Sequence, residues 1–153
     1  MTPTILNRRA KFNYFILESY EAGISLAGHE VKSIREGKVN LNEAFVRIIR
    51  GEAFLMNCHI NPYSRIQGHI EIDPMRARKL LLNRSQIDRL EGPSSQKGMA
   101  IVPLKIYFKK GYAKVEIALG RGKKLFDKRE SIKQRMHERE TAAAIKSKSR
   151  KSR

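Results

Sequence analysis

The chain has 153 residues, and its 32 lysines and arginines against 15 aspartates and glutamates give a formal net charge of +17 at pH 7. This length fits one domain with an appendage, and so large a positive charge predicts a polyanionic partner. Hydrophobic residues make up 41% of the sequence, enough for one modest core, which argues against a wholly disordered chain.

Local sequence argues against a membrane span, a secretory signal and a zinc site. No apolar run approaches the roughly 18 residues that cross a bilayer, so we expect no transmembrane helix. The N-terminus lacks the apolar stretch and cleavage site of a secretory signal, and we therefore expect a cytoplasmic protein. The single cysteine, Cys58, excludes an internal disulfide, and its neighbour His59 lacks an ordinary zinc-ligand spacing. We expect neither a metal nor another cofactor.

The positive charge is concentrated at the C-terminal end. Residues 1–120 carry 19 basic and 11 acidic side chains, whereas residues 121–153 carry 13 basic and 4 acidic ones and end in a basic run with little to bury. The composition predicts a domain over residues 1–120 and a basic tail over residues 121–153, with the boundary near Gly120 to Gly122.

The sequence of the first half of the domain predicts β-strands. Residues 14–20 are rich in aromatic and β-branched side chains, Ala22-Gly23 interrupts the pattern, and residues 24–34 then predict a second strand, bent at Gly28. Residues 45–49 and 53–60 flank the polar connector Arg50-Gly51-Glu52, which predicts a hairpin.

The second half predicts a helix and another hairpin. Asn83 followed by Gln86 is typical of a helix start, and Gly92-Pro93 is expected to stop that helix. Residues 99–109 and 113–119 are joined through Lys110-Gly111, and alternation in the last strand turns Lys114 outward while Val115 and Ile117 point inward.

This order of elements predicts a mainly β fold. Five or six short antiparallel strands, with a helix inserted before the last pair, favour an oligonucleotide-binding (OB-like) β-barrel, in which closure removes the strand edges; a β-sandwich is the alternative. The tail from Asp127 to about Ile145 lacks Gly and Pro but has few apolar side chains, so we expect it to be disordered when free and helical on a partner.

No catalytic machinery is evident. Glu30, Glu71 and Asp73 could be metal-binding carboxylates of a nuclease, but a turn at Asp73-Pro74 with solvated acids explains them better. The histidines have no accompanying nucleophile motif, and Gly120-Arg121-Gly122-Lys123 lacks the spacing of a phosphate-binding loop.

Basic and aromatic side chains are interleaved instead. Arg8, Arg9 and Lys11 precede Phe12, Tyr14 and Phe15; Tyr63 lies near Arg65; and Tyr107, Lys109, Lys110 and Tyr112 are close together. Unpaired RNA bases stack on such rings while cations follow the phosphates, so the pattern favours RNA. Composition alone also allows a ribosomal protein embedded in ribosomal RNA, or a basic segment on an anionic membrane.

Particular sequence motifs resemble those of the SsrA-binding protein family. They run in order from Asn7 to about Arg139 and occupy residues 7–16, 20–24, 29–38, 60–63, 78–82, 115–119 and 122–129. A match to any one motif would be weak evidence, but matches to so many motifs in the expected order are highly specific.

The resemblance implies an RNA-binding adaptor, not an enzyme, that delivers transfer-messenger RNA (tmRNA) to stalled ribosomes in trans-translation, bound to that RNA as a monomer. It implies that the tRNA-like domain of that RNA is held by Asn7, Glu21, Leu81 and Lys114. It also implies that the tail, which becomes helical on the ribosome, occupies the decoding centre and the empty mRNA channel of the small subunit. The tail residues so implicated are Gly122, Lys123, Lys124, Phe126, Asp127, Lys128 and Arg129. The sequence departs from the family at Ala144-Ile145, where relatives can carry a bulky apolar pair.

Overall fold

The computed structural model describes residues 3–62 and 73–151 of the chain. Strand β1 spans Ile5–Leu6, β2 Tyr14–Ile24, β3 Val39–Asn40, β4 Phe45–Ile49, β5 Glu52–Met56, β6 His59–Ile60, β7 Arg78–Leu81, β8 Met99–Lys109 and β9 Tyr112–Gly122. Helix α1 spans Arg8–Asn13, α2 Gly28–Arg35, α3 Arg84–Ser94 and α4 Leu125–Lys151. Among the described residues, no helix combines the length and the apolar character that a membrane crossing requires.

Seven of the strands form one antiparallel sheet that nearly closes into a ring. Its strand order is β1-β8-β4-β5-β7-β2-β9, and β8 also pairs with β9. The contact between β4 and β8 is the weakest in the ring, because it consists of the single bridge between Val46 and Ile101. Because the described residues also form four helices, the fold is mixed α/β, and the expectation of a mainly β protein was too narrow.

Both predicted hairpins are present. Arg50 and Gly51 connect β4 to β5 with φ angles of 51° and 76°, and Lys110 and Gly111 connect β8 to β9 with φ angles of 51° and 83°. Two consecutive positive φ angles define the two-residue turn whose twist matches that of paired strands. The second position of each turn needs glycine because other residues rarely adopt this conformation.

The core lies inside the ring. Val115 and Ile117 are fully buried, as the alternation in β9 predicted, and they pack in one cluster with Leu55 and Ile106. Leu90 of α3 belongs to the same cluster, so this helix contributes to the core.

The predicted strand over residues 24–34 was wrong. Strand β2 continues without interruption through Gly23 to Ile24, and α2 begins at Gly28. Glu30 Oε1 accepts a hydrogen bond from the Ala27 backbone N–H at 2.9 Å, which caps the helix. Glu30, Ser33 and Ile34 are buried along one side, a spacing of three and four residues that fits a helix better than a strand.

The predicted helix in the second half is confirmed as α3. Gln86 Oε1 accepts a hydrogen bond from the Asn83 backbone N–H at 3.0 Å, as the spacing indicated. The predicted stop came too early: α3 includes Pro93 in its last turn and ends at Ser94.

The chain divides into two compact units, Met1–Gly122 and Lys123–Arg153. In the first, β9 extends to Gly122, whose N–H donates to the Gly98 carbonyl at 2.8 Å. In the second, α4 leaves its large apolar side chains exposed, including Phe126, Ile132, Met136 and Ile145. Disorder of this segment without a partner stays a prediction.

Candidate nucleic-acid interface

One lateral row of the sheet joins two of the residues that the sequence singled out. Tyr107 of β8 pairs with Lys114 of β9, Lys114 pairs with Gly23 of β2, and Gly23 pairs with Leu81 of β7. Residues that pair directly across strands point to the same side of a sheet. Lys114 and Leu81 therefore share one face.

A second row on the same face contains a third predicted residue. Lys105 pairs with Glu116, and Glu116 pairs with Glu21. Between the two rows, the corresponding residues Ile106, Val115 and Ala22 are fully buried, so both rows face away from the core. We call these outward-facing residues the sheet platform: Glu21, Leu81, Lys105, Tyr107, Lys114 and Glu116.

The sheet platform carries no side chain at Gly23, where β2 crosses it. A Cβ atom on Gly23 would lie 3.2 Å from the Leu81 Cβ, closer than side chains normally pack. The Leu81 side chain therefore lies directly against Gly23, where only glycine fits without a shift, and Leu81 is 57% exposed. An exposed leucine beside a lysine and a bare backbone offers apolar contact and positive charge to the same ligand.

Glu21 is held from one side by Tyr107 and Lys109. The Tyr107 hydroxyl donates a hydrogen bond to Glu21 Oε2, and Lys109 Nζ lies 3.5 Å from the same oxygen. The hydrogen bond from Tyr107 lowers the pKa of Glu21, as do the positive charges of Lys109 and Lys114, against a smaller opposing effect of desolvation. Glu21 is therefore ionised over the whole neutral range.

Tyr107 has all parts of its side chain engaged within the protein. Lys105 Nζ lies 5.3 Å from the centre of its ring and 3.4 Å from Glu116 Oε2. Burial raises the pKa of Tyr107 to about 12, with further contributions from the hydrogen bond to Glu21 and from the negative charges of Glu21 and Glu116. Tyr112, by contrast, is 73% exposed, so it is the more accessible ring for stacking.

Asn7 is not part of the platform. Its side chain is only 6% exposed, and Nδ2 donates to the Pro103 carbonyl at 2.8 Å. Its backbone N–H donates to the Leu104 carbonyl at 2.8 Å, which fixes the segment between β1 and α1 against β8. No group among the described residues donates a hydrogen bond to its Oδ1.

The predicted tail residues lie at the end of β9, in the two-residue connection that follows it, and at the start of α4. Gly122 ends β9, while Phe126 is 71% exposed in α4. Asp127 Oδ2 accepts a hydrogen bond from the Lys124 backbone N–H at 3.2 Å, which caps the helix and places a negative charge at its N-terminus. Lys123 Nζ donates to Ser131 Oγ at 2.8 Å. Lys128 and Arg129 follow within the same turn.

The nuclease interpretation fails at Glu30, which is not a solvated acid. Glu30 is 2% exposed; Arg76 donates to its Oε1, and Arg78 Nε donates to its Oε2 at 2.6 Å. Burial raises the pKa of Glu30, but the hydrogen bonds from Arg76, the Ala27 N–H and Arg78 outweigh that effect and leave the pKa below its usual value. Glu30 is therefore buried with both of its oxygens already bound by arginines, an arrangement typical of an internal ion pair and not of an open metal ligand.

The other two nuclease candidates add no metal site. Asp73 Oδ1 accepts the Met75 N–H at 2.9 Å, which confirms the turn. Glu71 lies outside the described residues, as do Tyr63, Arg65 and His69. Among the residues that the structure describes, no group of three potential metal ligands comes together.

Sequence reasoning missed the buried cluster of Glu30, Arg76 and Arg78, although a signal existed. Arg78 and Leu80 are both buried, and they alternate in β7 with the exposed Lys79 and Leu81, so Arg78 occupies an inward-facing position of that strand. Its guanidinium also donates to the Cys58 and Pro74 carbonyls, the latter at 3.0 Å. An arginine at an inward-facing position requires a buried anionic partner. Glu30, one of the buried residues of α2, was the candidate.

The sequence and the fold of this chain match those of known proteins. A family model described as SmpB protein matches residues 4–147. The SsrA-binding protein of Trichodesmium erythraeum (strain IMS101) is 52% identical over 140 residues, covering 92% of this chain and 90% of its own. That of Desulforudis audaxviator (strain MP104C) is 53% identical over 143 residues, covering 93% and 92%.

A solved structure described as "tmRNA-SmpB: a journey to the center of the bacterial ribosome" contains a similar chain. It is 49% identical, has a TM-score of 0.70, and covers 86% of this chain and 95% of its own. The chain belongs to the SsrA-binding protein (SmpB) family.

Proposed function

We propose that the chain is a non-enzymatic adaptor that binds tmRNA and acts with it on the ribosome in trans-translation. The sheet platform is the surface for the tRNA-like domain of that RNA. The observation that carries this assignment is the convergence of Glu21, Leu81 and Lys114, from three different strands, on one outer face.

The platform has the chemistry that RNA requires. Adjacent strands lie about 4.8 Å apart, so the four strands from β8 to β7 present a surface about 14 Å wide. Lys114 and Lys105 supply cations for phosphates, and the exposed Leu81 supplies apolar contact for a base or a ribose. Glu21 can accept hydrogen bonds from N–H and O–H groups of the RNA, whereas a phosphate has no proton to donate to it.

Asn7 has an indirect role in this proposal. Its side chain is buried against the Pro103 carbonyl, which supports a function in holding β1 and α1 beside β8. The RNA contact implied by the resemblance is thus replaced by positioning of the neighbouring segment.

Binding measurements with full-length variants test the platform. Lys114→Ala and Leu81→Ala should each weaken binding to the tRNA-like domain by about tenfold, equivalent to about 1.4 kcal/mol, with thermal stability retained. Lys38→Ala is the matched control, because it also removes one exposed positive charge, paired with Glu36 at 3.1 Å, outside the platform. Equal small effects of all three substitutions would contradict the proposal.

The tail provides the ribosomal contact. Gly122, Lys123 and Lys124 lead into α4, whose 27 residues would span about 40 Å at about 1.5 Å per residue. In this proposal Lys128, Arg129 and the exposed Phe126 contact RNA of the decoding centre, while the rest of α4 enters the empty mRNA channel. A helix of this length with mostly exposed, basic side chains fits an RNA-lined channel better than a protein core.

Tagging of an incomplete peptide on stalled ribosomes tests the tail. Replacing Lys128 and Arg129 with alanine should abolish most tagging while leaving RNA affinity in solution within about threefold, since the platform is intact. Replacing Lys133 and Arg135 removes the same charge from the same helix and should retain more tagging. Equal loss from the two pairs would leave only a nonspecific effect of charge and would overturn the decoding-centre role.

The remaining parts of the assignment follow from the same function. We assign the nearly closed ring, with α3 inserted before the last hairpin, to the OB-like barrels. A protein that works with tmRNA on ribosomes acts in the cytoplasm, and we expect it to bind that RNA as a monomer.

A further inference from the structure

We propose that Tyr107 is a positioning residue for RNA recognition. Its hydroxyl holds the Glu21 carboxylate so that the second carboxylate oxygen accepts a hydrogen bond from an N–H or O–H group of the bound RNA. This inference rests on the proposed function of the sheet platform and assigns a selective contact within it.

The two oxygens of Glu21 have different surroundings. Tyr107 and Lys109 both approach Oε2. Within the described part of the chain, no hydrogen bond or ion pair is formed by Oε1. An ionised carboxylate oxygen has lone pairs for two acceptor contacts, so Oε1 retains its full capacity on the outer face of the sheet.

Tyr107 is itself fixed by its neighbours. It pairs with Lys114 in the sheet, and Lys105 lies over its ring. Its hydroxyl has a single proton, which it donates to Glu21 across a separation of 86 residues in sequence. Rotation of the Glu21 side chain would break this hydrogen bond, so Tyr107 limits the directions in which Oε1 can point.

The chemistry of Oε1 determines which groups of RNA it can bind. A carboxylate accepts hydrogen bonds but donates none, and it repels phosphate. Its partners are therefore the amino and imino groups of bases and the ribose 2′-hydroxyl. Lys109 and Lys114 partly offset the repulsion between this carboxylate and nearby phosphates. The contact thus adds selectivity among RNAs more than general affinity.

Tyr107→Phe in the full-length protein removes the hydroxyl and retains the ring. We expect affinity for the tRNA-like domain to fall about fivefold, the effect of one hydrogen bond, while affinity for a single-stranded homopolymer is unchanged. The slope of log K against log salt should also be unchanged, because no phosphate contact is lost. Tyr20→Phe is the matched control, since it removes a hydroxyl that donates to another glutamate, Glu18 Oε2 at 2.6 Å, outside the platform, and it should change neither affinity.

A double-mutant cycle with Glu21→Ala distinguishes positioning from direct contact. If Tyr107 acts through Glu21, Tyr107→Phe should cause no further loss of affinity when Glu21 is alanine. Additive losses would show that Tyr107 contacts RNA independently and would overturn the inference, as would unchanged affinity of the single variant. Failure of the platform itself is recognised separately, because Lys114→Ala and Leu81→Ala would then leave binding intact.

Discussion

Two glutamates of this protein, each held by basic residues, lie in opposite environments. Glu30 lies in the interior between α2 and β7, and both of its oxygens are occupied by arginines or by backbone. Glu21 lies on the sheet platform, where Oε2 is held by Tyr107 and Lys109 and, within the described residues, Oε1 has no partner. Burial with both oxygens bound makes the first a structural element, whereas exposure leaves the second available to accept a hydrogen bond from outside the protein.

The largest effect should come from breaking the interior cluster. Arg78→Ala removes one of the two arginines bound to the buried Glu30 and also the guanidinium that donates to the Cys58 and Pro74 carbonyls, so we expect a loss of about 3–5 kcal/mol in the free energy of unfolding. Urea unfolding at pH 7 measures this loss. Arg84→Ala, which breaks an exposed pair with Asp88 at 3.3 Å, is the control and should cost less than about 1 kcal/mol. Equal costs for the two variants would contradict the difference between interior and surface.

An intermediate effect should appear on acidification. The folded pKa of Glu30 lies below its unfolded value, so its contribution to stability is fully present above the unfolded pKa and is lost as pH falls through the lowered folded pKa. Urea unfolding from pH 7 to pH 3 should show this loss, and Glu30→Gln should remove part of the pH dependence.

The pKa of Glu21 is shifted in the same direction as that of Glu30, but the exposed interactions of Glu21 should be weakened by about 1 M salt, whereas those of Glu30 should persist. A Glu30 contribution that vanished in salt would contradict its burial.

The smallest effect on stability should come from the platform. Lys109→Ala removes the 3.5 Å pair with Glu21, in which both side chains are substantially exposed, so we expect a change below about 1 kcal/mol in the free energy of unfolding. Urea unfolding and RNA affinity should be measured on the same preparation. A loss of several kcal/mol would assign the platform a structural role like that of the interior cluster.

Local sequence was sufficient for several elements of the fold and for the family. The glycines of the two tight turns and the alternation around Val115 and Ile117 predicted the hairpins, because positive φ angles and one-sided burial depend on nearest neighbours. Asn83 and Gln86 predicted the start of α3 for the same reason. The resemblance to the SsrA-binding protein family implicated Glu21, Leu81 and Lys114 individually.

Only the tertiary structure decided how those residues come together. Residues 24–34 fitted either a strand or a helix locally, and the helix is stabilised by ion pairs of Glu30 with Arg76 and Arg78, 46 and 48 residues away. The platform likewise depends on the register of β2 against β7 and β9, since a slip of one residue would turn Glu21 into the core. Sequence determined the charge, the turns and the family, because these are local properties. The burial of Glu30 and the open oxygen of Glu21 depend on partners distant in sequence, and only closure of the sheet brings those partners into contact.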